Sequence, residues 1–140
     1  MTALTRHAAA TIAALARPAV LHSLAPKAQV VVIAIRLCAL AARGEADPLP
    51  ALALRLQNCE AAFAVHEFVR TVIRTWPERF VVGRACCQRL SPDEATLARL
   101  VQASTKRDRN GFTRAIEGFV RHDRHEALWD TCSHAVVLMR

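Results

Sequence analysis

A chain of 140 residues has room for one domain with a proper core, and a hydrophobic fraction of 53% excludes a disordered polypeptide. The formal net charge of +7 points to an acidic partner, but the excess is uneven. Residues 1–44 hold five basic residues and no acid, whereas the remainder has 14 basic and 12 acidic residues, so the bias belongs to the N-terminal third. Lys27 and Lys106 are the only lysines, and arginine carries nearly all the positive charge.

Abundant alanine, leucine and arginine, four glycines and no tyrosine predict an all-α fold. We expect a compact bundle of five or six helices forming a single domain over 1–140, with antiparallel hairpins in its C-terminal half and residues 1–25 as a more loosely attached N-terminal helix. Five cysteines are an odd number without a CxxC or a regular framework, which favours a reducing, cytoplasmic setting. Met1–Arg6 followed by Ala8–Ala16 resembles the start of a secretion signal, but Arg17-Pro18 closes it without a clean cleavage site. The most apolar run, Ala28–Ala42, is interrupted by Arg36 and falls short of the ~20 residues that cross a bilayer.

In chain order, a weakly amphipathic first helix is predicted over 2–16, ended by Pro18. A second spans about Lys27 to Arg43. Gln29, Arg36 and Arg43 recur every seven residues as one narrow polar stripe on an otherwise apolar helix, and Gly44 and Pro48 supply a stop. A long third helix, Pro50 to Trp76, carries one apolar row through Leu52, Leu56, Cys59, Phe63, Ile73 and Trp76, and a second through Leu54, Val65, Phe68 and Val72. It should form the centre of the bundle, with Gln57, Glu60, Glu67 and Arg74 facing solvent and Pro77 ending it.

Phe80–Gly83 reads as irregular. Ser91-Pro92-Asp93-Glu94 is the clearest local signal: a serine N-cap, proline at the first helical position and glutamate two further on form a capping box. The helix it starts buries Leu97, Leu100 and Val101. A turn at Lys106–Asp108 leads to a helix from Arg109 to Arg121 with Phe112, Ile116, Phe119 and Val120 inward. Asp123 and Glu126 repeat the capping pattern for a last helix, 124–139, whose core row is Leu128, Trp129, Cys132, Ala135, Val136 and Met139.

Cys86 and Cys87 are the residues placed for chemistry. They fall between helices, and Arg84 and Arg89 flank them in the cationic setting that favours the nucleophilic thiolate. A disulfide between neighbours closes a small strained ring, labile and regulatory rather than structural. Zinc sites usually space cysteines about two to four residues apart, which argues against an ordinary zinc centre. The alternative is a tight connector whose thiols tuck under the core. Cys38, Cys59 and Cys132 lie in apolar rows and read as packing residues.

His122, Glu126, Asp130 and His134 recur every four residues, but they fall opposite the core row and belong to a solvated stripe. His125 projects from the apolar face as a hydrogen-bonded core histidine. No phosphate loop, HExxH, GxSxG or paired-carboxylate arrangement is present, so the chain is not expected to be an enzyme, and no cofactor is expected. The hairpin 92–121 offers a nucleic-acid alternative. Arg99, Lys106, Arg107, Arg109, Arg114 and Arg121 gather around its turn in imitation of a helix-turn-helix, although Glu117 sits in the middle of the second helix.

The stretch from Cys86 to Glu94 resembles a segment in a family of small bacterial helical proteins without an established activity. There a short cysteine cluster leads into an Arg-(Leu/Met)-(Ser/Thr)-x-(Asp/Glu)-Glu helix start. The resemblance extends over residues 30–120 and departs at Ala85 and Gln88, where the family often has a third cysteine or a proline. It implies weight for the motif and no function. Three readings follow: a non-catalytic cytoplasmic interaction or regulatory module with an acidic protein partner, a thiol switch or metal binder at Cys86 and Cys87, and a nucleic-acid-binding regulator.

Overall fold

The computed structural model describes residues 19–139, and the helix expected over 2–16 lies outside them. The six α-helices are α1 (Pro26–Arg43), α2 (Leu49–Leu56), α3 (Cys59–Thr75), α4 (Pro92–Thr105), α5 (Arg109–Ile116) and α6 (His125–Leu138). Single 3₁₀ turns at Leu21–Ser23 and His122–Arg124 precede α1 and α6. The described residues contain no β-strand, and the expected all-α bundle is the architecture observed. Among these residues no helix is long and apolar enough to cross a membrane.

Helix α1 starts with proline in its first turn, and the Gly44 amide caps it by donating to the carbonyls of Leu40 and Ala41. Its buried residues run from Ala28 to Arg36. Arg36 departs from the expected solvent stripe: it is 3% exposed, because its partner lies on another helix.

The helix expected over 50–76 is broken in two. Gln57 adopts a left-handed conformation (φ 54°) and Asn58 is extended, its side chain accepting from the Ala61 amide at 3.2 Å. A short amide side chain that bonds local backbone competes with helix continuation and favours an N-cap. The break turns α2 away from the axis of α3 and interrupts both predicted rows, leaving Leu52 and Trp76 of the first and Val65, Phe68 and Val72 of the second buried. Phe63 is 62% exposed, and Leu54, Cys59 and Ile73 are exposed as well. The buried face of α3 is instead Ala61, Ala62, Ala64, Val65, Phe68, Val69 and Val72. Small alanines there let α3 sit close to α6, α1 and α2. Helix α4 packs in turn against α1, α5 and α6, so the centre of the bundle is shared between α3 and α4.

Two boundaries in the C-terminal half also differ. Helix α5 ends at Ile116, five residues before Arg121, because Glu117 is extended and Gly118 takes a positive φ of 85°. Asp123 does not cap α6; its carboxylate accepts from Arg121 at 2.9 Å, and α6 starts without a side-chain cap. The core row of α6 is buried as expected except for Trp129, which is half-buried and meets Phe112 edge-on at 5.1 Å. His125 is buried with Nε2 2.9 Å from the Val120 carbonyl, and its Nδ1 has no partner.

Candidate functional site: the cysteine turn and its adjoining cleft

Trp76-Pro77 ends α3 as the sequence predicts, and residues 77–91 return without helix to the start of α4. Three side chains at that start hold the connector. Asp93 accepts from the Trp76 indole N–H at 3.2 Å and from the Val81 amide at 2.8 Å. Ser91 donates its hydroxyl to the Val81 carbonyl at 2.6 Å and accepts from the Glu94 amide at 3.0 Å. Glu94 closes the capping box by accepting from the Ser91 amide at 2.9 Å.

Glu94 has a second role that the local motif does not reveal. Its carboxylate, 0% exposed, receives a bidentate pair from Arg36: Nε to Oε2 at 2.7 Å and Nη2 to Oε1 at 3.0 Å. The same guanidinium donates Nη1 to the Cys87 carbonyl at 2.6 Å and Nη2 to the Arg89 carbonyl at 3.2 Å. Burial pushes the Glu94 carboxyl up. The hydrogen bond from Arg36, with those from the Ser91 and Gly83 amides, outweighs it and holds the group below the usual carboxylate range. Bonding to Glu94 outweighs burial for Arg36 too, and holds its guanidinium charged. Gly83 is required by space, because a Cβ there would stand 2.8 Å from Glu94 Oε1 and 2.9 Å from Arg36 Nη2.

The cysteine pair is thus wrapped over a buried ion pair. Cys87 N–H donates to the Arg84 carbonyl at 3.0 Å, closing a tight turn over residues 84–87. Cys86 is exposed and Cys87 half-buried; the pair occupies a connector, but Cys86 is not tucked beneath the core. Arg84 and Arg89 are exposed beside it. Residues 19–21 brace the far side, with Leu21 N–H donating to the Gln88 carbonyl at 2.7 Å and Leu90 N–H to that of Ala19 at 2.9 Å.

All five cysteines are free. Burial pushes the Cys38 thiol up to about 11 and the Cys132 thiol up to about 12. Cys59 departs from its expected packing role and lies exposed at the start of α3. Among the described residues no group of three or more His, Cys, Asp and Glu side chains is placed to hold a metal ion. Within the acidic and histidine series, His122 sits in the 3₁₀ turn, and Glu126, Asp130 and His134 are exposed.

The basic hairpin is only partly assembled as a cationic surface. Lys106, Arg107 and Arg114 are exposed at and near its tip. Arg109 pairs with Glu126 and stacks 4.9 Å over Trp129, Arg121 pairs with Asp123, and Arg99 bonds Thr96. Arg121 also lies beyond α5, so a recognition helix would present only Asn110, Thr113 and Arg114.

A cleft of about 640 Å³ opens against the connector just upstream of the cysteine turn, and no single motif signals it. Ile35, Cys38, Ala39, Ala42 and Arg43 of α1 form one wall, Ile73 of α3 another, and Arg79, Phe80, Val81 and Val82 of the connector the third. The sequence signal that was available is the apolar run Phe80-Val81-Val82 in a non-helical stretch. The chain matches no family model, no curated protein and no solved structure.

Proposed function

We propose that this chain is a non-catalytic cytoplasmic interaction or regulatory module, and that its cleft receives an apolar segment of another protein whose surface is acidic. The carrying observation is the composition of the cleft. Its walls are aliphatic and aromatic, Ile73 and Val81 stand 54% and 58% exposed on its lips, and its charged lining residues are Arg43 and Arg79, with no carboxylate among the described lining residues. Exposed apolar groups framed by charge of one sign mark docking surfaces, and charge complementarity steers and selects the partner. Cys38 is the one nucleophile on the wall, its thiol pushed up to about 11, and the cleft lining holds no imidazole or carboxylate base beside it. That chemistry suits binding rather than turnover.

The test is capture from native lysate with the tagged chain, run beside Arg43→Glu/Arg79→Glu and Arg107→Glu. Recovery of one acidic protein by the wild type, lost with the cleft variant and kept with Arg107→Glu, supports the reading. Loss with Arg107→Glu alone transfers the function to the hairpin and the nucleic-acid reading, and recovery of no partner counts against an adaptor role. A thiol reading of the same region is favoured by one observation, the exposure of Cys86 on a held turn.

A further inference from the structure

We propose that Cys86 and Cys87 are an oxidative modification site at which a hydroperoxide closes a disulfide between the two neighbours, and that closure loosens the wall of the adjoining cleft. Only the consequence for partner binding rests on the cleft being the docking surface; disulfide closure and the loosening of the wall do not.

The two thiols have unequal access, which assigns their roles. Cys86, exposed, attacks the peroxide: an S–O bond forms, the O–O bond breaks, and the departing oxygen leaves with a proton as alcohol or water. Cys87, half-buried and adjacent, then attacks the Cys86 sulfenic sulfur, forming S–S and releasing water. Two electrons pass from the thiol pair to the peroxide, and every proton leaves in a product. Cys38 and Cys132 are poor competitors because burial holds their thiols protonated. Cys59, exposed at the start of α3, is the thiol to remove in a clean test.

The consequence follows from chain geometry. Neighbouring Cα atoms are about 3.8 Å apart across a trans peptide, whereas disulfides usually join Cα atoms about 4.4–6.8 Å apart. The peptide bond fixes that spacing, so the ring closes only as a strained disulfide that twists the backbone at 86–87. That backbone is committed at both ends: the Cys87 amide donates to Arg84, and the Cys87 carbonyl accepts from Arg36. Turning the 86–87 peptide plane pulls the Cys87 amide off the Arg84 carbonyl, and the accompanying change in φ at Cys87 moves its carbonyl away from the buried Arg36 guanidinium, which must then shift against Glu94. Glu94 exchanges hydrogen bonds with Ser91, and Ser91 together with its near neighbour Asp93 holds Val81 in the cleft wall. The cysteine turn and the wall thus hang on one polar network, and strain at one reaches the other.

The experiment uses the full chain carrying Cys59→Ser, reduced and then treated with stoichiometric hydrogen peroxide. Intact mass should show loss of two hydrogens, peptide mapping should place the bond at 86–87, and dithiothreitol should restore the mass. The Ile73 methyl and the Val81 and Val82 amide resonances should shift on oxidation, the Tm should fall by several degrees, and neither should change in the Cys86→Ser variant. With the captured partner, oxidation should weaken binding at least tenfold. Addition of oxygen without a disulfide would overturn the modification site. A disulfide that leaves the Val81 and Val82 resonances in place would overturn the coupling. These readouts need no partner, so they stand or fall separately from the docking reading.

Discussion

Replacing Arg36 by methionine isolates the buried ion pair. The substitution keeps most of the side-chain volume but removes four hydrogen bonds, two of them to Glu94. Glu94 remains fully buried with the Ser91 amide still donating to it, and the carbonyls of Cys87 and Arg89 lose a charged donor. Stranding one member of a buried pair costs about 3–5 kcal/mol. Against a total stability of about 5–15 kcal/mol for a domain, the variant should fold with a much reduced margin. At about 4 °C per kcal/mol for a chain of this size, the Tm should fall by about 12–20 °C. Urea denaturation followed by the fluorescence of Trp76 and Trp129, with circular dichroism as a second probe, measures the loss. Arg36→Met/Glu94→Met should recover most of it, since two apolar groups replace the pair, leaving a deficit of about 1 kcal/mol for the lost cap. A cost below about 1 kcal/mol for Arg36→Met, or strict additivity in the double variant, would refute the clamp. The pH dependence gives a second check. A carboxyl held low in the folded state contributes stability that is fully present above its unfolded value, about 4.3, and is lost as pH falls through the folded value. Wild-type stability should therefore decline below about pH 4.3, and Glu94→Gln should flatten that part of the curve.

Gly83→Ala should cost about 1–3 kcal/mol in the same denaturation assay, because its Cβ meets two atoms of the buried pair that have no room to retreat. Asn58→Ala removes the cap of α3 and should cost about 1 kcal/mol, whereas Gln57→Gly relieves a left-handed backbone and should be neutral or stabilising. Phe63→Ser should change stability by no more than about 0.5 kcal/mol, since that side chain faces solvent; a larger loss would restore the single long helix. In native alkylation at pH 7.5 read by mass spectrometry, Cys86 and Cys59 should label first, half-buried Cys38 much more slowly, and Cys132 only after unfolding.

The local signals were legible because their partners are local. Ser91, Pro92 and Glu94 form the predicted capping box within a single turn, and Pro77 stops α3 where the rule for the preceding residue places it. The bounds of α1 and the buried rows of α4 and α6 follow from periodicity. Elsewhere two local rules compete. The apolar pattern of 50–76 favours one helix and Asn58 favours a cap, and the cap prevails because breaking the rod lets α2 and α3 each bury a different face. The same competition ends α5 at Ile116, ahead of the positive-φ Gly118, and leaves Arg121 outside the hairpin's second helix.

By itself, then, the sequence determined an all-α chain, the start of α4 and the position of the cysteine pair between α3 and α4. Tertiary structure decided what surrounds that pair. Arg36 looks like a solvent residue because its heptad neighbours Gln29 and Arg43 are polar, yet its partner lies 58 residues away. A buried charge is tolerated only where its counter-charge and remaining acceptors converge on it, and that convergence is a property of packed helices rather than of spacing. The cleft arises for the same reason: its three walls come from α1, α3 and the connector, and none of them is a cleft alone.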